Sequence, residues 1–348
     1  MMKLILFCVI ASAMLSRSGN AESNKPHFKG ELIFDKVKGY PSCHAATIVE
    51  LPNGDLLVAW YAGEEEGAKD VAILSSRRER GSEKWSSPKV LVNTPDKSEG
   101  NPVPWCDTKG TVWLFYVTMQ GNGWTTCNIK YVTSKDNGKT WSEPVVLREE
   151  LGWMTGTKPL VLKNGEILLP LYDEVNVSSV FMMSSDGGKT WLKTGPIRSN
   201  PGNIQPSVVQ LKDGSLLCYM RTWVAGKMWQ STSRDDGRTW SEATQHELPN
   251  SGSRLDMVKL TTGDLVLIFN NTARGRTPLS AALSADEGKT WPFIKDLETE
   301  RGEFSYPAVI QTRDNLIHVV YTYRRTHIKH AEFSEEWLTP ARQREAPK

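Results

Sequence analysis

The sequence predicts an all-β fold, a six-bladed β-propeller built from four-stranded antiparallel blades. Two repeats and one closure signal predict it. The first repeat is the motif S-x-D-x-G-x-T-W at residues 134–141, 184–191, 233–240 and 284–291, with its tryptophans 50, 49 and 51 residues apart. The second is a hairpin signal, an apolar strand end followed by a turn, at Gly54, Gly110, Gly165, Gly214, Gly263 and Asn315, spaced 56, 55, 49, 49 and 52 residues apart. Periodicity near 50 residues with about four short strands per unit is the pattern of propeller blades. Degenerate turns at Trp85 and Trp337 raise the count to six. Only eleven residues follow Trp337, so the last blade is short of a strand, and residues 30–34 are expected to supply it. Such closure removes an exposed sheet edge.

Each element has a physical reason. The Asn-Gly and Asp-Gly pairs between β-rich runs are strong hairpin signals. In the eight-residue motif the Asp accepts backbone N–H bonds within a tight turn, and the Gly supplies a positive φ. The Trp then packs between neighbouring blades. These residues are therefore read as structural. Helical solenoids are excluded because no segment sustains a 3.6-residue apolar period.

Residues 1–21 read as a secretory leader. Lys3 supplies the positive end, residues 4–15 a short apolar run, and Gly19-Asn20-Ala21 a small-residue cleavage site. Twelve apolar residues are too few to span a bilayer. The expectation is a single propeller over residues 22–348 that is secreted or periplasmic, with no membrane insertion after cleavage. Lys and Arg total 42 against 40 Asp and Glu, so nothing marks a nucleic-acid surface. Cys43, Cys106, Cys127 and Cys218 show no C-x-x-C spacing, and both disulfides and buried thiols remain open readings. No metal-ligand cluster is visible along the chain, so neither a metal nor a cofactor is expected, and the chain is expected to be a monomer.

Connectivity says where chemistry sits. The hairpin turns and the Asp-rich turns fall on one face of the disc. The starts of the inner strands and the loops between second and third strands converge on the other, where a pocket belongs. Those positions hold His44, Asp70, Asn101, Lys158, Asp173, Glu174, Gln205, Arg221, Trp223, Arg254, Asp256, Arg276, Glu303, Tyr306 and the pair Arg324 and Arg325. Several convergent arginines suit an anionic ligand, because the guanidinium fork matches a carboxylate. Trp124, Trp153, Trp223 and Trp229 are either sugar platforms or blade packing.

These residues resemble the sialidase superfamily, whose Asp-box repeats lie on a six-bladed propeller. The resemblance implies an exported exo-glycosidase that releases a terminal acidic sugar from a glycan. It implies Asp70 as acid/base, Tyr306 as nucleophile, and Arg221 and Arg276 as two of three arginines on the substrate carboxylate. Asn101 falls in a stretch that shapes the second blade in the family. Two positions depart from the pattern. His44 stands where the family's first arginine is expected, and Gln205 where a Glu would partner the tyrosine. Glu303, Asp256, Asp173 and Glu174 are alternative bases, and Arg254, Asp256 and Lys158 are further candidate substrate contacts. The competing readings are a non-catalytic glycan-binding propeller, and a glycosidase or lyase acting on another anionic polysaccharide.

Overall fold

In the computed structural model of the chain, residues 26–339 are described, and the leader read at residues 1–21 lies outside them. Among the described residues the strands form six separate sheets in chain order. Blade 1 comprises Ser42–Glu50, Leu56–Gly63, Ala72–Arg78 and Lys89–Val92, joined in that order by antiparallel pairing. Blades 2, 4 and 5 repeat this meander. Blade 3 has its innermost strand broken into Trp153–Thr155 and Leu160–Val161.

Blade 6 takes Phe304–Gln311, Ile317–Tyr323 and His327–Phe333 from the end of the chain and Phe28–Leu32 from its beginning. Phe28 pairs with Phe333 and Leu32 with Lys329, so the N-terminal strand covers the outer edge and closes the ring. The closing strand thus starts two residues earlier than residues 30–34.

Apolar second and third strands make the inter-blade core, and in blades 1 to 5 one tryptophan packs back on the preceding blade, whereas Trp337 stacks on Phe28 and Phe333 of its own blade 6. Trp191 meets Phe115 edge to face at 6.1 Å, Trp240 stacks on Phe181 at 4.6 Å, and Trp291 lies 6.1 Å from Tyr219. Trp85 of blade 1 approaches His330 of blade 6 at 5.2 Å. Aromatic pairs in these arrangements add about 0.5–1.5 kcal/mol each beyond the area they bury.

The Asp-rich turns hold the outer hairpins. Asp136 accepts from the backbone N–H of Lys139 and Thr140 and from the hydroxyls of Ser134 and Thr140. Asp186 repeats the set. The Thr140 hydroxyl first, with the other donors, holds the Asp136 carboxyl well below the usual carboxylate range. Gly188 is required twice over. Its φ is +87°, and a Cβ there would sit 2.8 Å from the ring of Trp113 on the neighbouring blade. The turns lie beside the inner hairpins, as Asn164 shows by donating to Asp236 at 3.1 Å. Among the described residues Cys43, Cys106, Cys127 and Cys218 are all free thiols.

Candidate active site

The site is built by the repeat itself. Nine residues before the hairpin position (Gly54, Gly110, Gly165, Gly214, Gly263, Asn315) stand Ala45, Asn101, Gly156, Gln205, Arg254 and Tyr306. Four of these have a left-handed backbone: Ala45 at φ 54°, Asn101 at 42°, Gln205 at 53° and Tyr306 at 55°. Each falls where the inner strand slips register against its neighbour, between His44 and Thr47, Gly100 and Val103, Ile204 and Ser207, and Ser305 and Ala308. A bulge of this kind bends the strand and re-aims a side chain. A proline follows Asn101, Gln205 and Tyr306, and non-glycine residues held in this region carry strain of about 1–3 kcal/mol each. Seven residues after the hairpin position come Tyr61, Val117, Tyr172, Arg221, Asn270 and Thr322, at the ends of the second strands. The two rings meet at the mouth.

The pocket there has a volume of about 190 Å³, and Tyr61, Asn101, Tyr172, Gln205, Arg221 and Tyr306 form its floor and walls. Glu66, Glu174, Trp124 and Trp223 stand round it. Hollows of about 600 and 710 Å³ occur on the hairpin side, where no phenol and arginine converge. The phenols and arginines converge on the small pocket.

Arg221 donates to the Tyr306 hydroxyl at 2.7 Å and to the Gln205 carbonyl at 3.2 Å. Gln205 and Asn101 both donate to the Tyr172 hydroxyl, at 3.3 and 2.9 Å. The guanidinium carbons of Arg221, Arg254 and Arg276 lie 5.9, 5.3 and 5.5 Å from the Tyr306 ring centre. The His44 ring is 4.1 Å from it.

Electrostatics separates the three phenols. Burial pushes Tyr61 and Tyr172 well above the usual tyrosine value. Burial pushes Tyr306 up as well, but Arg221, then Arg276, then the Gln205 amide outweigh it, and the phenol ends below its ordinary value. His44 is neutral, since burial and the charges of Arg325, Arg254, Arg276 and Arg221 hold its imidazole well below the usual range. Its Nδ1 pairs with the Thr322 hydroxyl at 2.8 Å, while its Nε2 is buried without a protein partner. Arg276 donates to the Gly252 carbonyl at 3.1 Å, and its Nη1 is likewise buried without a partner.

Other residues singled out in the sequence have different surroundings. Arg254 is 1% exposed and donates to the carbonyls of Gly156, Ala46 and Tyr306 at 2.8 Å each, tying three blades across the axis. Asp256 and Lys158 form an ion pair at 2.8 Å deeper along the axis, where Asp256 also accepts from Ser207 and the backbone of Met257 and Val309. Glu303 accepts from Arg325 at 2.8 Å and from Ser305 at 3.0 Å. Asp173 caps its own turn through Val175 and Asn176.

Asp70 is not in the Tyr306 pocket. It is exposed, accepts from the Glu64 N–H at 2.9 Å, and faces a hollow lined by Tyr40, Asn93 and Asp96. The residue that its loop sends to the pocket is Glu66, paired with Arg325. Across the pocket Glu174 has its carboxyl pushed above the usual value, by burial first and only partly offset by Arg221. Of the tryptophans, Trp124 and Trp223 reach the pocket, whereas Trp153 and Trp229 are buried packing residues. Sequence reasoning passed over Tyr61, Tyr172 and Glu66. The signal for the two tyrosines was the fixed offset of seven residues from each hairpin.

The family of BNR repeat-like domains matches residues 54–319, and the chain belongs to it, on a sialidase-like six-bladed propeller. It is 26% identical over 264 residues to a sialidase of Bacteroides fragilis (strain YCH46), covering 69% of this chain and 48% of that one. It is 24% identical over 176 residues to the anhydrosialidase of Macrobdella decora, covering 45% and 23%. The chain therefore spans about half or less of the length of these relatives. Among solved structures, the Hadza microbial sialidase Hz136 superposes with a TM-score of 0.75 at 23% identity, over 86% of this chain and 67% of that one. The NanB sialidase of Streptococcus pneumoniae superposes at 0.76 and 16%, over 89% and 71%. At these identities the superpositions show the fold.

Proposed function

We propose that the protein is a glycoside hydrolase of the exo-sialidase kind, releasing a terminal acidic sugar with Tyr306 as nucleophile. One observation carries the reading. Of three phenols lining one pocket, only Tyr306 is made more acidic than an ordinary tyrosine, and the two arginines that do this, Arg221 and Arg276, each keep a buried N–H without a protein partner. A neutral or weakly acidified phenol suits a substrate with its own carboxylate beside the reacting carbon, since an anionic nucleophile would be repelled. Arg276 and Arg221 hold that carboxylate, and the neutral His44 adds one hydrogen bond where a third arginine is expected.

In the first step the Tyr306 oxygen bonds to the anomeric carbon and gives its own proton to the Glu66 carboxylate at the pocket, which returns it when the phenol is released, as the glycosidic oxygen leaves with a separate proton. Glu174 is the donor in this reading. It shares the pocket, and its raised value keeps it protonated at higher pH than an ordinary carboxyl. Water then cleaves the sugar–tyrosine bond, with the same carboxylate taking its proton. Asp70 serves only if its loop turns inward. Trp223, 44% exposed at the rim, offers a face for the next sugar. Export through the leader at residues 1–21 is part of the proposal.

The test is release of free acid from a panel of sialic, related nonulosonic and uronic acid glycosides. Wild type is expected to turn over at least one, and Tyr306→Phe to lower kcat about a thousandfold or more, roughly 4 kcal/mol, with KM little changed. Near-normal turnover by Tyr306→Phe overturns the assignment. Binding of the panel without turnover supports the glycan-binding alternative.

A further inference from the structure

Where blade 6 meets blade 1, the repeat breaks its own rule. Three residues past the hairpin position the other five blades carry Leu57, Trp113, Leu168, Leu217 and Val266, and blade 6 carries His318. Across the strand pair His318 faces Glu332, and Val320 faces His330, so all three side chains lie on one face of the sheet. All are buried, at 3%, 8% and 1% exposure. No other blade has a histidine or a carboxylate at any of the three positions.

We propose that His318, His330 and Glu332 form a site for a divalent transition metal of the Zn²⁺ class, which clamps the seam where the propeller closes. The inference is independent of the glycosidase reading. The His318 Nδ1 and His330 Nε2 atoms are 3.0 Å apart, and His318 Nδ1 is 3.8 Å from a Glu332 oxygen. One ligand atom from each of the three lies within 4.8 Å of the others. A tetrahedral Zn²⁺ with bonds of about 2.1 Å sets neighbouring donors about 3.4 Å apart, so only small shifts are needed.

A second observation points the same way. His330 Nδ1 lies 3.4 Å from the Glu31 carboxylate of the closing strand. That contact assigns the proton to Nδ1, the carboxylate–histidine arrangement that orients metal ligands, so His330 Nε2 accepts from His318 Nδ1 and a metal entering between them displaces that one proton. Arg78 meets Glu332 at 2.8 Å and Glu31 at 3.6 Å, so the two carboxylates outweigh the one guanidinium beside the site. A cavity of about 600 Å³, lined by His318, Glu332 and His27, provides an entry path. His27 Nε2, 3.2 Å from the second Glu332 oxygen, stands at the rim for the fourth position.

The metal would join two strands of blade 6 directly, and the closing strand and blade 1 through Glu31 and Arg78. Among the described residues no disulfide spans that seam, and the chain itself crosses it only through residues 33–41.

The test uses untagged full-length protein, dialysed against Zn²⁺ or Co²⁺. Expected are one zinc per chain by elemental analysis, visible ligand-field bands with Co²⁺, and a thermal midpoint raised by several degrees with Zn²⁺ and restored by a chelator. His318→Leu, the residue type of the other blades, and His330→Gln should each remove the bands and the midpoint shift together. Wild type that shows neither bands nor a shift overturns the proposal without reference to any variant. So does a folded His330→Gln that binds Co²⁺ as wild type does.

Discussion

At the mouth of the propeller three phenols share one wall, and burial acts on all of them in the same direction. What distinguishes Tyr306 is its neighbours, Arg221 at 2.7 Å and the Arg276 guanidinium beside its ring. Carboxylates divide in the same manner. Glu174 and Asp70 sit in comparable loops, but Glu174 is buried in the pocket with its value raised, and Asp70 is exposed in a separate hollow. The two make opposite predictions. Glu174→Gln should lower kcat/KM about a hundredfold or more on glycosides with poor leaving groups, and much less on aryl glycosides that leave without a proton. Asp70→Asn should leave both within a few-fold. Because an acid must be protonated to act, wild-type kcat/KM should fall as pH rises through the raised Glu174 value. Glu174→Gln should abolish that alkaline fall. A pH–rate profile of both variants decides the matter, and retention of the alkaline limb in Glu174→Gln overturns the assignment.

At the scale of the element, the repeat does two jobs at opposite ends of each blade. On the hairpin side, the Asp turn and the tryptophan behind it hold the blade to its predecessor. Trp240 stacks on Phe181 with planes 19° apart, and Phe181 is fully buried. Phe181→Ala should therefore cost about 3–5 kcal/mol in chemical denaturation, from lost transfer energy and the cavity left behind. A loss below about 1 kcal/mol would show that this contact does not join the blades. At the mouth, the same strands carry bulges with left-handed residues, and these put Asn101, Gln205 and Tyr306 at the pocket. The hairpin spacing was legible in the chain and led to the inner ring, while the second ring, with Tyr61 and Tyr172, stands at a fixed offset from it that was passed over. The bulges were not, since nothing in the local composition distinguishes Tyr306-Pro307 from any extended pair before proline.

For the whole molecule, closure rests on one strand of five residues. Phe28–Leu32 pairs along its length with His327–Phe333, and Glu31 of this strand accepts a hydrogen bond from Trp85 of blade 1 at 3.1 Å. A chain beginning at Ile33 would leave that edge open. Its thermal midpoint should drop by ten degrees or more, and it should self-associate by light scattering. A truncated chain that stays monomeric with an unchanged midpoint would show that the other five interfaces suffice.

The sequence by itself determined the all-β class, the six blades, the closing strand and the face on which Tyr306 and its arginines converge. These follow from spacing, and spacing is a property of the chain. It also brought forward Tyr306, Arg221, Arg276 and His44, which do meet, because their repeat positions converge on the axis. Only the tertiary structure decided that Arg254 ties blades together at the axis, that Asp70 faces another hollow and Glu66 the pocket, and that His318, His330 and Glu332 gather at the seam. Each of these depends on which groups surround a side chain from other blades. Burial, charge and ligand geometry are set by residues distant along the chain, and no local pattern encodes them.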